Sequence, residues 1–558
     1  MIDAVTIELV RGGLLYAAEE MGVALRNAAY SPNIKERLDH SCAVFDAEGR
    51  LVAQAEHIPV HLGSLPWGVK QVLAHLEARH ITLGEGDVIV VNDPYVAGTH
   101  LNDITLLQPV LADGDLVAYV ANKAHHDDVG GSVPGSMNAA ARDLYAEGLV
   151  LPPVFLRRGG VFVDDIVALI LANSRTPHVR EGDLKAQVAA CVTGERRVRT
   201  LIEEHGVDDY KAALPALLDL SERRLRRAVA ALPDGVYHAE EFLEGDGLSE
   251  KMVRLAATAT IDGDRLTIDY TGTDAQTPGA LNAVKGVTLS GVAYAVAAFV
   301  DPGAPMTEGV LRAIEVMVPE GTVLNPRKPA PVAGGNVETS MRNADLLLRL
   351  FGLVSPERAV AASGGSMSSV IVGGRSVSAA GEEHAWGFYE TIGCGMGARP
   401  GRDGLDGIHV HMTNTLNTPV EALERAFPVV VERYEFRSYT GGAGRWRGGC
   451  GLIRAWRLRE GSATLTLLTE RTRLAPSGVD GGGAGARAAH TLTRAGARAA
   501  TPLPATCTLT LYAGDLVTVN TPGGGGKGDP ALRDPAALHQ DILNGLVLES
   551  QPSSISGT

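Results

Sequence analysis

The sequence predicts an α+β (mixed α/β) fold with candidate metal-bearing hairpins in its N-terminal part, a helical middle, and a strand- and glycine-rich C-terminal part. Three observations predict it. Apolar residues recur at helical spacing over 3–30 and again over 164–232. Short apolar and β-branched runs, broken by turn signals such as Asp113-Gly114 and Asp262-Gly263, mark hairpins on either side of that second helical stretch. From about Val429 on, short strands alternate with the glycine clusters Gly441 to Gly451, Gly478 to Gly485 and Pro522 to Gly528. These shifts divide the chain into an N-terminal candidate metal-site region (1–163), a helical section (164–234), a middle α/β region (235–428) and a β-rich C-terminal region with a closing helix (429–558).

Taken in order, Ile7, Val10, Leu14, Ala18, Met21 and Leu25 make one face of a first helix, with Gly12-Gly13 as a candidate kink. Ser41 to Phe45 and Arg50 to Ala53 read as a hairpin closed at Asp46–Gly49, whose ends bring Asp39-His40 toward His57. Pro59 argues against a helix that would show His57 and His61 on one face, so the next helix is expected from Pro66 to Arg79. Asp87 to Val91 is a strand delivering Asn92-Asp93 to its end, and Ile104 to Leu111 pairs with a strand beginning at Leu116. After the helical section come a hairpin over 253–270, a helix over Leu281 to Val300, a strand over Ile314 to Val318, an ambiguous stretch from Glu357 to Val372, and a closing helix over Asp534 to Leu548.

Composition narrows the class of function. With 45% hydrophobic and 21% charged residues in 558, the chain is globular. A net charge of −15, without a basic stripe, argues against a nucleic-acid partner. The longest apolar stretch, Val287 to Val300, contains Ser290, Gly291 and Tyr294 and is too short to cross a bilayer. Met1 to Ala4 lacks the basic start and apolar centre of a secretory signal, so no membrane association and a cytoplasmic location are the expectations. The five cysteines form no CxxC pair, which argues for reduced, buried thiols; Cys394, between two glycines, is the one that merits a reactivity test.

Candidate chemistry concentrates between Asn92 and Gly131, where His100, Asp103, His125, His126, Asp127 and Asp128 surround the hairpin. Three or four nitrogen and oxygen ligands with an open position suit a catalytic divalent metal, and His100, Asp103 and His125, with Asp39 from the earlier hairpin, supply two imidazoles and two carboxylates. The alternative for the same residues is turn-capping aspartates and hydrogen-bonded histidines. Register decides whether Asp103 and His125 share a face: either Asp113-Gly114 sits in a three-residue loop, or a bulge at Pro109 corrects a two-residue turn. Elsewhere, Gly524 to Asp529 fails as a phosphate loop, since Thr521 and Gly528 stand where glycine and a hydroxyl residue belong. Gly334 to Ser340 either places Asn336 and Glu338 as candidate substrate-lining residues or sets Glu338 in the first turn of a helix, and His409 and His411 alternate as strand neighbours do, as a second site or a satisfied polar pair.

Several of these motifs together, His57 to Ser64, Asn92-Asp93-Pro94-Tyr95 leading to His100 and Asp103, Gly334 to Ser340, Asn417 to Glu421, Gly441 to Gly451 and Thr521 to Pro530, resemble the hydantoinase B / 5-oxoprolinase family nearly end to end. The resemblance implies a B-type subunit of an ATP-dependent hydrolase of cyclic amides: hydantoins, 5-oxoproline or lactams. It implies a hetero-oligomer with a hydantoinase A-type subunit that binds ATP and phosphorylates the amide oxygen, after which this chain opens the ring. It also implies one divalent metal on His100, Asp103 and His125 with Asp39 as a fourth ligand; zinc, iron and manganese all suit that set. His126, Asp127 and His57 are the candidate bases, and His61, Asn92, Asn102, Asn336 and Glu338 the candidate lining residues. The homologous metal chain of acetone and acetophenone carboxylases gives a second reading, disfavoured by the shorter length here, and a non-catalytic scaffold gives a third.

Overall fold

In the computed structural model, which describes residues 3–548 apart from 56, 378–380 and 382, the chain forms two compact units. The first comprises 1–238, 257–336 and 414–418, and the second 239–256, 337–413 and 419–558. The α+β class holds, with several sheets and long helices.

The first unit is built on α1 (Ala4–Ala28), β1 (His40–Asp46), β2 (Leu51–Gln54), α2 (His61–Ala78), β3 (Val88–Val91), β4 (Asp103–Ala112), β5 (Asp115–His125), β6 (Val154–Arg158), β7 (Val161–Phe162), α3 (Pro177–His205), α4 (Val207–Val229) and α5 (Lys285–Ala295). Asp3 caps α1 by accepting the N–H groups of Val5 and Thr6 at 2.8 and 3.0 Å. The helix runs without interruption through Gly12-Gly13, so the expected kink is absent. Gly13 serves packing instead: a Cβ there would lie 2.5 Å from Leu201 of α3. Helix α2 starts at His61 rather than Pro66, because turn bonds from His61 N–H to Ile58 O and Leu62 N–H to Pro59 O lead directly into it. Proline in its second turn removes one bond there without stopping it.

The strands form one sheet of seven in the order β2-β1-β5-β4-β3-β6-β7. On one face Ala43, Phe45, Leu107 and Ala121 pack with Leu65, Val69, Val72 and Leu76 of α2. Full burial of each such aliphatic side chain contributes about 1.5–3 kcal/mol, so this cluster fixes which face of each strand points where. On the opposite face, Asn122 of β5 donates to Gln187 O of α3 at 2.8 Å and lies 3.1 Å from Cys191 Sγ. Helix α3 is wedged tightly there, since a Cβ on Gly194 would meet Met21 Sδ at 2.3 Å and Val120 at 3.1 Å.

The β4–β5 hairpin resolves the register. Asp113 and Gly114 have φ of 52° and 88°, the signature of a two-residue primed turn, and Ala112 pairs with Asp115. The three-residue loop is therefore excluded. The correction comes from a bulge between Val110 and Leu111, with Val117 as the extra residue on β5, rather than at Pro109, which pairs regularly with Tyr119. Beyond the bulge the ladder runs unbroken from Val110↔Ala118 to Asp103↔His125. The helix expected over 281–300 is α5 followed by a π-turn at Val296–Val300. No helix among the described residues is long and apolar enough to cross a membrane.

The second unit holds a four-stranded sheet in the order Glu383–Glu390, Ser369–Val377, Ser462–Leu468, Thr506–Tyr512, and a five-stranded one in the order Val429–Arg437, Gly451–Leu458, Leu516–Asn520, Ala489–Thr493, Thr501–Leu503. Val370, Trp386, Phe388, Trp456, Leu465 and Val517 share their core. The glycine clusters stack backbone on backbone: a Cβ on Gly395 would fall 2.0 Å from Gly449 O, and one on Gly524 2.0 Å from Met396 O. Lys527 is paired with Asp480, which suits a structural turn. His409 and His411 are not strand neighbours: His411 has a left-handed φ of 55° and bonds Asp345 at 3.0 Å. Burial pushes the Cys394 thiol up to about 12, which keeps it protonated and unreactive. The closing helix spans Pro535–Leu543, shorter than expected.

Candidate metal centre

The open end of the β4–β5 hairpin is where the first unit collects its histidines and carboxylates. Asp103 sits directly opposite His125, and on the other side of β5 the carbonyl of Asp39 accepts the His125 N–H at 3.1 Å. Asp103 and His125, opposed across the ladder, share a face, and Asp39, the residue just before β1, borders His125 on its other side. His100 arrives from the loop before β4. The short helix Pro94–Ala97, capped by Asp93 and ended by Gly98 at φ 86°, turns the chain toward it, and Asp103 N–H donates to His100 O at 3.1 Å.

Three ligand atoms then form a triangle. His100 Nε2 lies 3.2 Å from Asp103 Oδ1, His125 Nδ1 lies 3.3 Å from the same oxygen, and the two nitrogens are 3.1 Å apart. Protons alone satisfy such a triangle poorly. With both nitrogens protonated, two N–H groups confront each other; with one deprotonated, its lone pair faces the carboxylate. A cation resolves both conflicts, and ligands about 2.0–2.1 Å from a tetrahedral centre stand about 3.3–3.4 Å from one another, close to these edges. The donor set therefore fits a divalent transition metal. All three residues are buried, and they form a group whose ligand atoms lie within 4.8 Å of one another. Burial alone would raise the Asp103 carboxyl, but His100, His125 and His61 hold it well below the usual carboxylate range.

The second oxygen of Asp103 is held separately. His61 Nε2 lies 3.4 Å from it and Asn336 Nδ2 3.5 Å. Ser41 Oγ takes the Ile58 N–H, which leaves its proton for His61 Nδ1 at 2.8 Å, so the Nε2–H of His61 points at the carboxylate. Lys123 lies within the stretch from Asn92 to Gly131 but is not among its candidate ligands, bases or lining residues. Its Nζ donates to Ala97 O and Thr99 Oγ1 at 2.8 and 3.0 Å, tying down the loop that carries His100, while burial lowers it to about 7. A lysine inside an apolar strand, two residues from His125 and so on the same face, is the one signal the sequence offers for it.

The other expected site residues fall into groups. The Asp39 carboxylate stands outside the three-residue set, with Asn33 Nδ2 3.5 Å from it. His126 turns to α3, its Nε2–H donating to Gln187 Oε1 at 2.9 Å, and burial lowers it to about 3. Asp127 lies 3.7 Å from Arg180, and burial raises it to about 7. His57 lies against His40, with ring centres 5.0 Å apart, and burial lowers it to about 4. Asn92 is committed to the backbone, donating to Leu101 O and Leu149 O and accepting from Leu151 N–H. Asn102 likewise donates to His126 O and Gly135 O. Glu338 lies in the second unit, where burial and the neighbouring Glu470 push its carboxyl well up.

Comparison with known proteins identifies the lineage. The family profile described as hydantoinase B/oxoprolinase matches residues 3–530. The chain belongs to the hydantoinase B/oxoprolinase family. Within that family, it is 44% identical over 541 residues to an uncharacterised protein of Methanocaldococcus jannaschii, covering 97% of this chain and 93% of that one. It is 34% identical over 552 residues to 5-oxoprolinase 1 of Arabidopsis thaliana, covering 94% of this chain but only 42% of that protein. Among solved structures, the ATP-dependent caprolactamase from Pseudomonas jessenii superposes with a TM-score of 0.89 at 31% identity, over 98% of this chain and 95% of that one. A nucleotide-free acetone carboxylase shares the fold with a TM-score of 0.89 at 19% identity, over 98% and 78% of the two chains.

Proposed function

We propose that this hydantoinase B-family chain is the metal-dependent hydrolytic subunit of an ATP-dependent cyclic-amide hydrolase. The observation that carries the reading is the buried triangle of His100 Nε2, His125 Nδ1 and Asp103 Oδ1, with edges of 3.1–3.3 Å. Those three atoms would hold the metal, with Asp39, just before β1, as the fourth ligand. A divalent ion supplies Lewis acidity toward an oxygen and makes water acidic enough to react near neutral pH. His61 and Asn336 hold the free oxygen of Asp103, fixing the carboxylate plane, and Lys123 holds the loop of His100 in place.

An amide carbonyl resists attack because of its resonance, and phosphorylation of its oxygen removes that protection. The phosphoryl donor is ATP on a hydantoinase A-type partner, in keeping with the absence of a phosphate-loop motif in this sequence. Attack by water then requires a base to take a proton. His57, His126 and Asp127 are the candidates, and His57 lines an open cleft.

The test is ATP-dependent turnover of hydantoin, 5-oxoproline and lactams by the chain with its A-type partner, with and without bicarbonate. Bicarbonate-independent ring opening that disappears in His100→Ala supports the reading. Strict bicarbonate dependence transfers the site to the carboxylase chemistry, and full turnover by metal-free His100→Ala leaves the chain a scaffold.

A further inference from the structure

Between α1 and β1 the chain winds tightly around a buried arginine. Ser31 caps the short helix Pro32–Lys35 by accepting the Ile34 N–H at 3.4 Å, and Leu38, soon after it, lies in the left-handed region at φ 61°. A large residue without glycine's freedom adopts that conformation only where its surroundings impose it. Here it turns the chain back, so that the Asp39 N–H reaches Asn33 O at 3.2 Å. Beside this turn sits Arg37, which is fully buried.

Arg37 joins two groups that are far apart in sequence. On one side its Nε donates to Leu416 O at 3.2 Å, its Nη2 donates to Thr415 Oγ1 at 3.3 Å, and its own carbonyl accepts the Leu416 N–H at 3.0 Å. The segment 414–418, part of the first unit, therefore meets Arg37 largely through its backbone, the Leu416 side chain being exposed. On the other side Arg37 Nη1 donates to Asn33 Oδ1. A guanidinium has donors only, so this contact decides which way the Asn33 amide faces. Its oxygen is taken by Arg37, and its Nδ2 turns to the metal centre, donating to His125 O at 2.9 Å and lying 3.5 Å from Asp39 Oδ2. Turned over, the same amide would set its oxygen against a carbonyl and a carboxylate, with no proton between them.

We infer that Arg37 is a positioning residue of the metal centre: seated on 415–416, it orients the Asn33 amide, which in turn holds the His125 backbone and the Asp39 carboxylate in place. The inference rests on the reading of Asp39 as the fourth ligand. Charge alone predicts an effect of the opposite sign. A guanidinium on this side of the site repels a dication, so its removal would by itself tighten metal binding, whereas loss of positioning weakens it.

The test measures zinc affinity of the metal-stripped full chain against a chromogenic chelator, and the visible spectrum after loading with cobalt(II), for Arg37→Met, Asn33→Leu, the double variant and Asp39→Ala. Thermal melting of the metal-free forms is followed in parallel. Arg37→Met and Asn33→Leu should each weaken zinc binding at least about tenfold, the usual effect of losing a group that orients a ligand, and shift the cobalt spectrum toward that of Asp39→Ala. The double variant should bind within about twofold of the weaker single one, because both substitutions act through one amide. Should Arg37→Met fail to fold, Asn33→Leu, which leaves Arg37 on its seat, decides. A smaller loss of zinc affinity than about tenfold in the folded variants, or a gain, overturns the inference whatever the melting temperature does, and so do losses that add in full in the double variant. If Asp39→Ala weakens zinc binding in that event, the reading of Asp39 as a ligand stands and the role of Arg37 alone is wrong; if Asp39→Ala binds zinc as the wild type does, that reading is what failed.

Discussion

Replacing His61 with alanine separates positioning of the metal ligand from mere packing. The ring bridges two oxygens, Ser41 Oγ at 2.8 Å and Asp103 Oδ2 at 3.4 Å, and is itself fully buried. Its removal leaves Asn336, at 3.5 Å, as the remaining hold on that carboxylate oxygen in this set of contacts. Groups that orient a ligating carboxylate are typically worth about 10–100-fold in metal affinity, or about 1.4–2.7 kcal/mol. The loss of the His61 partner of the Ser41 hydroxyl, which keeps only the Ile58 N–H, and the space left by the ring cost the metal-free fold about 1–3 kcal/mol more. The assay is competition of the reloaded protein against a chromogenic chelator, with thermal melting of the metal-free form measured in parallel. Loss in both quantities is expected. A melting temperature that falls while the metal dissociation constant stays within about twofold of wild type would refute the positioning role, since losing a group that orients a ligand weakens metal binding by at least about tenfold.

Other expectations follow from the same contacts and from the second unit. His490, buried there with its Nε2–H on Thr469 Oγ1 at 3.0 Å, is lowered to about 4 by burial and Arg437. Its unfolded form takes up a proton first as pH falls below about 6.5, so the stability it contributes is present above that value and lost on the way down to pH 4, about 3 kcal/mol in all. Urea melts from pH 7 to 4.5 should show that slope, and His490→Gln should flatten it; equal slopes would contradict the assignment. Gly63→Ala would place a Cβ 2.6 Å from the backbone of Leu289 and Ser290 in α5. A loss of about 1–3 kcal/mol is expected in the melting of the variant, and a neutral effect would show that α2 and α5 are less closely packed.

The meeting of Asp103 and His125 is legible in the sequence because hairpin ends converge and period-two strands keep a face. The position of the bulge is not. Val117 is an ordinary strand residue, and nothing in its type announces that it is the extra one, whereas Pro109, the residue with a recognisable signature, pairs regularly. Helix α2 shows the same asymmetry: Pro66 looks like a first-turn residue, yet the turn bonds at Ile58 and Pro59 start the helix at His61 and set its ring over Asp103. Gly13 reads as a hinge because a glycine's conformational freedom is visible in sequence, while its actual role, admitting Leu201, depends on a partner far along the chain.

That the triangle at the end of the hairpin holds one catalytic metal can be checked by inductively coupled plasma analysis of the purified chain, beside Asp103→Ala shown by circular dichroism to be folded. About one zinc, iron or manganese is expected per wild-type chain and nearly none in the variant, the ligand set being one that retains such ions tightly. A folded Asp103→Ala chain that keeps the wild-type metal content would contradict it.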